Sequence, residues 1–78
     1  MTHLTLSVQD ISVPSETRLA LFVDELRYAD YFSMLSAYAE LGFLALEHEA
    51  LGKTVDAAFF TACADIIETT LAERGLHL

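Results

Sequence analysis

Apolar and polar residues alternate at the start of the chain, which is the pattern of a β-strand with one buried face. Leu4, Leu6 and Val8 occupy alternate positions, with polar residues between them. After position 10 the apolar positions change parity at Ile11 and Val13, which indicates a bulge or bend. We predict a strand over residues 1–13 that pairs with its own copy in a second subunit or with the sheet edge of another protein. The alternative is an arm packed irregularly over the helices.

A helical pattern follows from residue 14. Pro14, Ser15 and Glu16 form a helix start, with Ser15 placed to cap free backbone amides. Between residues 17 and 51 there is no proline, yet the apolar face changes side. The first stripe is Leu19, Phe22, Val23 and Leu26, and the second is Tyr28, Tyr31, Phe32, Leu35, Tyr38, Ala39, Gly42 and Leu46. This switch favours a break near residues 27–30, with Asp30 as a second N-cap, over one unbroken helix that packs against different partners.

Glycines bound the last helix. Gly52 ends the preceding helix, Thr54 is placed to cap the next one, and Asp56 lies in its first turn. Gly75 is placed to end it, with Leu76 packing back on the helix in a Schellman closure. The predicted buried face consists of Phe59, Phe60, Cys63, Ile66, Ile67, Thr70 and Leu71, and the opposite face of Thr61, Asp65, Glu68 and Ala72.

These elements predict a mainly α fold. A short N-terminal strand or arm (1–13) is followed by a helical domain (14–78) of two or three helices, arranged as a helical hairpin or small bundle. The middle segment is apolar over more than half of its circumference, which is more than one neighbouring helix covers. A small chain without a disulfide or an evident metal site draws little stability from its own core, so we expect a homodimer to complete the bundle. The alternative is a monomer whose tyrosines reach solvent through their hydroxyls.

Composition narrows the possible partners. The chain has 78 residues, 12 acidic and 4 basic side chains, a net charge of −8 and 54% apolar residues. So many apolar residues argue against disorder, and scattered cations argue against direct contact with nucleic acid or with an anionic membrane. The most apolar window, Met34 to Leu46, is too short to span a bilayer. A lone cysteine and the lack of a secretory signal favour the cytoplasm.

No residue pattern indicates catalysis, a metal or a cofactor. Glu47, His48 and Glu49 are adjacent, and neighbouring helical side chains point about 100° apart, so they cannot converge on one ion. Cys63 lies on an apolar helix face without a nearby base, as a core thiol does. The three glycines are isolated and form no phosphate-binding loop. We therefore expect that the protein is not an enzyme.

The remaining expectation is a small acidic protein-protein interaction module that docks on a target protein with a basic surface. The expected partner or dimer contacts are Leu4, Leu6, Val8, Tyr28, Tyr31, Phe32, Leu35 and Tyr38, and the acidic rim is Asp24, Glu25, Asp30, Glu40, Glu47 and Glu49. Small acidic binders of this kind often serve bacteria or phages as inhibitors, antitoxins, anti-activators or adaptors. The alternative is a nucleic-acid mimic whose carboxylates occupy a basic groove of a DNA- or RNA-binding protein.

A strand followed by two helices also resembles the ribbon-helix-helix arrangement, over about residues 3 to 50. That resemblance implies two N-terminal strands paired across a dimer. The outward strand positions His3, Thr5 and Ser7 offer little positive charge for reading DNA. The resemblance therefore implies a dimeric regulator in which the strands serve dimerisation.

Overall fold

The computed structural model describes residues 4–10 and 12–76, and every regular element within them is helical. In chain order these elements are α1 (Leu6–Gln9), α2 (Ser15–Leu26), α3 (Tyr31–Ala50) and α4 (Thr54–Glu73). The two 20-residue helices, α3 and α4, are each about 30 Å long and pack along one another as a helical hairpin. The one-turn α1 packs on α2, and α2 contacts α4. The all-α part of the predicted fold is confirmed.

The predicted N-terminal strand is wrong, because residues 6–9 form one helical turn. Leu4 and Val8 are four residues apart, so a helical turn places both on one side, and both are buried in the core. A lone strand would leave its backbone groups unpaired, whereas a helical turn bonds part of them within the segment. The side chain of Leu6 and all of Ile11 lie outside the described residues. Leu4 and Val8 are thus core residues of their own chain, and the prediction that they contact a partner is corrected.

Glu40 of α3 and Arg18 of α2 hold the N-terminal segment in place. The buried Thr5 hydroxyl donates to Glu40 Oε2 on α3 at 2.8 Å. From α2, Arg18 Nη1 donates to the Val8 carbonyl at 2.9 Å, and its guanidinium lies 4.6 Å from the centre of the Phe59 ring. Burial removes water from the guanidinium, and attraction to the face of an aromatic ring replaces part of the stabilisation that the water gave. Arg18 therefore joins α1, α2 and α4.

The predicted break between the second and third helices is confirmed. Helix α2 ends at Leu26 and α3 begins at Tyr31, with Asp30 as N-cap: its Oδ1 accepts from the Ser33 amide at 2.7 Å. The turn after α2 is joined to the end of α4, because Arg74, directly after α4, donates to the Leu26 carbonyl at 3.0 Å and to the Ala29 carbonyl at 3.1 Å.

Two glycine closures end the long helices as predicted. Gly52 and Gly75 have φ of 78° and 72°. The Gly52 and Lys53 amides donate to the Glu49 and His48 carbonyls, and the amides of Gly75 and Leu76 donate in the same way to the Ala72 and Leu71 carbonyls. These are the paired bonds of a Schellman closure.

Two predicted helix caps are wrong by one residue. Ser15 and Thr54 are the first residues of α2 and α4, and the cap positions belong to Pro14 and Lys53, which make no side-chain capping bond. Asp56 lies in the first turn of α4, as predicted.

The buried core draws on all four helices of one chain. Its members are Leu4, Val8, Phe22, Leu26, Met34, Ala37, Leu41, Phe60, Cys63, Ile67 and Leu71. On α4 the predicted faces are confirmed, with Phe60, Cys63, Ile67 and Leu71 buried and the predicted polar side exposed. Because the N-terminal segment completes this core within one chain, its burial does not need a second copy, and dimerisation stays a prediction.

Candidate docking face

Helix α3 buries one side and leaves a second apolar side in water. Met34, Ala37 and Leu41 are its buried residues, and they face the core shared with α4. We call the opposite side the outer α3 face, and it consists of the exposed residues Phe32, Ser36, Ala39, Phe43, Leu46 and Ala50. Their spacing alternates between four and three residues, which keeps them on one line along a helix. The line runs the full length of α3.

The large side chains of the outer α3 face are mostly exposed. Phe32 is 77%, Phe43 74% and Leu46 69% accessible. Tyr28, just before α3, is 85% accessible. Isolated exposed apolar residues are ordinary on a protein surface, but a continuous line of them marks an interaction surface.

The predicted contact residues separate into three groups. Tyr28 and Phe32 are exposed as an interface requires, whereas Tyr31, Leu35 and Tyr38 are half-buried on the flanks of α3. Leu4 and Val8 belong to the core. Phe43 and Leu46 complete the outer α3 face although the sequence reasoning did not select them as contacts. Their alternating spacing with Phe32 was the available signal.

The predicted acidic rim is divided between the two ends and the middle of α3. Asp24, Glu25 and Asp30 line one open pocket of about 380 Å³ at the α2–α3 junction, together with Tyr28. Burial against this junction, reinforced by the Asp24 charge, raises the pKa of Glu25. At the other end, Glu47 and Glu49 are exposed on opposite flanks of the outer α3 face. In the middle, Glu40 is half-buried and accepts the Thr5 hydrogen bond.

The surface is more acidic than the net charge suggests. None of the twelve acidic side chains, all within the described residues, is buried. Two of the four cations, Arg18 and Arg74, bond backbone carbonyls in the interior and between helices. Of the other two cations, Arg27 lies 3.8 Å from Asp24, and Lys53 lies in the α3–α4 turn. The outer α3 face is therefore surrounded by negative potential, which favours a basic partner.

The candidate chemical groups identified in the sequence are directed inward. His48 points away from Glu47 and Glu49, because its Nδ1 lies 2.8 Å from the Leu44 carbonyl and its ring packs on Phe60. Burial raises the pKa of the Cys63 thiol to about 11, opposed weakly by Arg18, so the thiolate that a nucleophile needs is scarce near neutral pH. Within residues 4–10 and 12–76, no three His, Cys, Asp or Glu side chains are grouped to hold a metal ion.

Comparison with family models, with curated proteins and with solved structures gave no match. Across the described part of the chain, no helix combines the length and apolar character that crossing a membrane requires.

Proposed function

We propose that this chain is a small non-catalytic interaction module that docks the outer α3 face on a target protein whose surface is basic beside the contact. The observation that carries the proposal is the line of exposed Phe32, Phe43 and Leu46 on a chain of charge −8. Aromatic side chains supply most of the energy of protein interfaces, while surrounding charges steer the encounter and exclude wrong partners. Docking of this kind is how an inhibitor, antitoxin, anti-activator or adaptor acts.

We place this action in the cytoplasm of a bacterium or of a phage-infected cell, where a lone buried thiol such as Cys63 stays reduced. The nucleic-acid mimic is the less favoured function, because the carboxylates are spread over α2, α3 and α4 and the central line of α3 is apolar. The ribbon-helix-helix alternative loses its basis, since residues 6–9 are helical.

Comparative capture from the native host tests the docking proposal. The wild type is immobilised beside a Phe32→Ser/Phe43→Ser variant and a Leu21→Ser control, because Leu21 is a half-exposed apolar residue on α2, away from the outer α3 face. We expect proteins that the wild type and the control retain and the double variant loses, as identified by mass spectrometry. Equal retention by all three forms would contradict docking through this face.

The captured target then separates docking from mimicry. Docking on a basic surface predicts that affinity falls with added salt and that DNA or RNA competitor has little effect. A mimic instead loses its target to nucleic acid and tolerates loss of Phe32 and Phe43.

A further inference from the structure

We propose that in the free protein a second copy of the chain covers the outer α3 face, with the two α3 helices packed antiparallel about a twofold axis level with Leu41. The inference rests on the proposed function in one respect, since it assigns the target and the second copy to the same face. Target binding and self-association then exclude one another, and the dimer keeps the apolar face out of water until the target is present.

The outer α3 face is symmetric about the level of Leu41. Antiparallel packing sets each position level with the partner position equally far from the axis. Phe32 and Ala50 each lie nine residues from Leu41, Ser36 and Leu46 lie five residues from it, and Ala39 and Phe43 lie two residues from it. The line of exposed apolar residues thus pairs with its own reverse, as a twofold interface requires.

Side-chain size is complementary in the antiparallel register only. In this register each large side chain comes level with a small one of the partner: Phe32 with Ala50, Phe43 with Ala39, and Leu46 with Ser36. A large side chain then enters the space over small ones, as in knobs-into-holes packing. Parallel packing would set Phe43 against the partner's Phe43 and Ser36 against the partner's Ser36, leaving a collision beside a gap. It would also bring together the acidic α2–α3 junctions of both copies.

The exposed apolar surface of the outer α3 face suits a weak dimer. Phe32 and Phe43 are each about three-quarters exposed, and Leu46 is about two-thirds exposed. With aromatic side chains of about 200 Å² each, these three residues supply roughly 400 Å² of apolar surface per chain, about half of the ~800 Å² per partner of a standard interface, so we expect the dimer to dissociate at low concentration.

Charge makes the second copy distinguishable from a basic target. Each copy carries −8, so electrostatic repulsion opposes the dimer and salt screens it. Self-association through this face therefore strengthens as salt rises. Contact with a basic target weakens under the same change.

Sedimentation equilibrium of the full chain, without any target, tests the inference. We expect the average mass to rise from 8.6 kDa toward twice that value as the protein concentration increases. In high salt the rise should occur at a lower protein concentration. Phe43→Asp should weaken association by at least ~30-fold, the effect of losing one interface hot spot. Leu21→Asp adds the same charge on α2 and should leave association unchanged. A monomeric mass at all concentrations and salt levels would overturn the proposal, while leaving the capture result to decide docking independently.

Cysteine pairs test the register in the same protein. Phe32→Cys mixed with Ala50→Cys should give a disulfide between the two variants, whereas neither variant alone should cross-link. Ala58→Cys, on the exposed side of α4, serves as the negative control. Cys63 is buried with a pKa of about 11 and does not compete. Cross-linking of Phe32→Cys with itself would indicate parallel packing, and cross-linking at Ala58 alone would indicate a different face; either result overturns the antiparallel dimer.

Discussion

Helices α3 and α4 are equally long and pack on one another, but they use their apolar residues differently. Helix α4 buries Phe60, Cys63, Ile67 and Leu71 along one side and, apart from Val55 in its first turn, exposes polar or small residues on the other. Helix α3 buries Met34, Ala37 and Leu41 and exposes a second apolar line on the outer α3 face. The fold therefore accounts for the apolar residues of α4, whereas it accounts for only about half of those of α3. Apolar residues that a fold does not bury are the residues to assign to binding.

The largest expected effect comes from placing a charge on the buried side of α3, and a separate variant with the same charge on the exposed side is the comparison. Leu41→Asp buries an unpaired carboxylate in the core and should cost ~4 kcal/mol or more, a large part of the stability of a small domain. Phe43→Asp, two residues on, places the same group in water and should change the free energy of unfolding by about 0.5 kcal/mol or less. Urea unfolding followed by circular dichroism measures both. The measurement belongs at concentrations where the chain is monomeric.

Similar losses of stability in Leu41→Asp and Phe43→Asp would mean that both sides of α3 are structural. That result would contradict the difference between α3 and α4. Loss at Phe43 alone would mean that the buried and exposed sides of α3 have been exchanged. A matched pair on α4, Ile67→Asp and Glu68→Asp, should repeat the contrast for a helix with only one apolar side, since Ile67 is buried and Glu68 exposed.

A second prediction concerns the buried side of α4 and its pH dependence. Burial raises the pKa of the Cys63 thiol from 9.0 to about 11. Between these values the unfolded chain releases a proton that the folded chain retains, so the free energy of unfolding falls as pH rises through this window. The contribution is fully present below pH 9 and lost by pH 11, with a size of roughly 2 to 3 kcal/mol.

Unfolding of the wild type and of Cys63→Ala at pH 8 to 11 isolates that contribution, because the two forms differ only at this side chain. We expect the stability difference between the two forms to narrow or reverse as pH rises. A constant difference would show that Cys63 is accessible to water, and the description of α4 as a one-sided helix would then be incorrect.

Sequence reasoning found the division of the chain at residues 27–30 because two local signals coincide there. The apolar stripe changes side, and Asp30 supplies the oxygen that a helix N-terminus needs. The closures at Gly52 and Gly75 are equally local, since each depends on one residue with positive φ. The buried side of α4 follows from a narrow apolar stripe that leaves one choice of face.

The failures have physical causes that no local pattern contains. Leu4, Leu6 and Val8 fit a strand, but Leu4 and Val8 also fit one helical turn, and contact with Phe22 and its neighbours in the core selects the turn. On α3 the apolar residues cover so much of the circumference that the sequence does not specify which side faces α4. The long-range bonds of Arg18 and Arg74 to carbonyls 10 and 48 residues away also require the folded chain.

A third prediction compares how the two helices begin. Asp30 caps α3, and the hydrogen bond from the Ser33 amide lowers the pKa of its carboxyl, whereas Lys53 at the same position of α4 makes no side-chain capping bond. Asp30→Ala should lower the melting temperature by a few degrees at neutral pH. Because the folded pKa is lowered, the stabilisation by ionised Asp30 is present above pH 3.8 and is lost as pH falls through the lower value.

Asp24→Ala is the matched control, since it removes the same charge from an exposed position in α2. Asp24 lies three residues before Arg27, where the α2–α3 turn begins. It should leave the melting temperature nearly unchanged. Equal effects of the two variants would assign the result to net charge and would remove the cap as a difference between α3 and α4.

The smallest expected effect lies at Gly42, which adjoins the outer α3 face. A methyl group added there meets no atom within 4 Å, and the backbone is helical, so nothing within one chain requires glycine. Gly42→Ala should therefore raise the free energy of unfolding of the monomer by about 0.5 to 1 kcal/mol. Gly52→Ala, at a φ of 78°, should lower it and serves as the control of opposite sign. Measured again where the chain is dimeric, a smaller gain for Gly42→Ala would show that a second helix approaches α3 closely at this point. An unchanged gain would place Gly42 outside the contact and confine the interface to the outer α3 face.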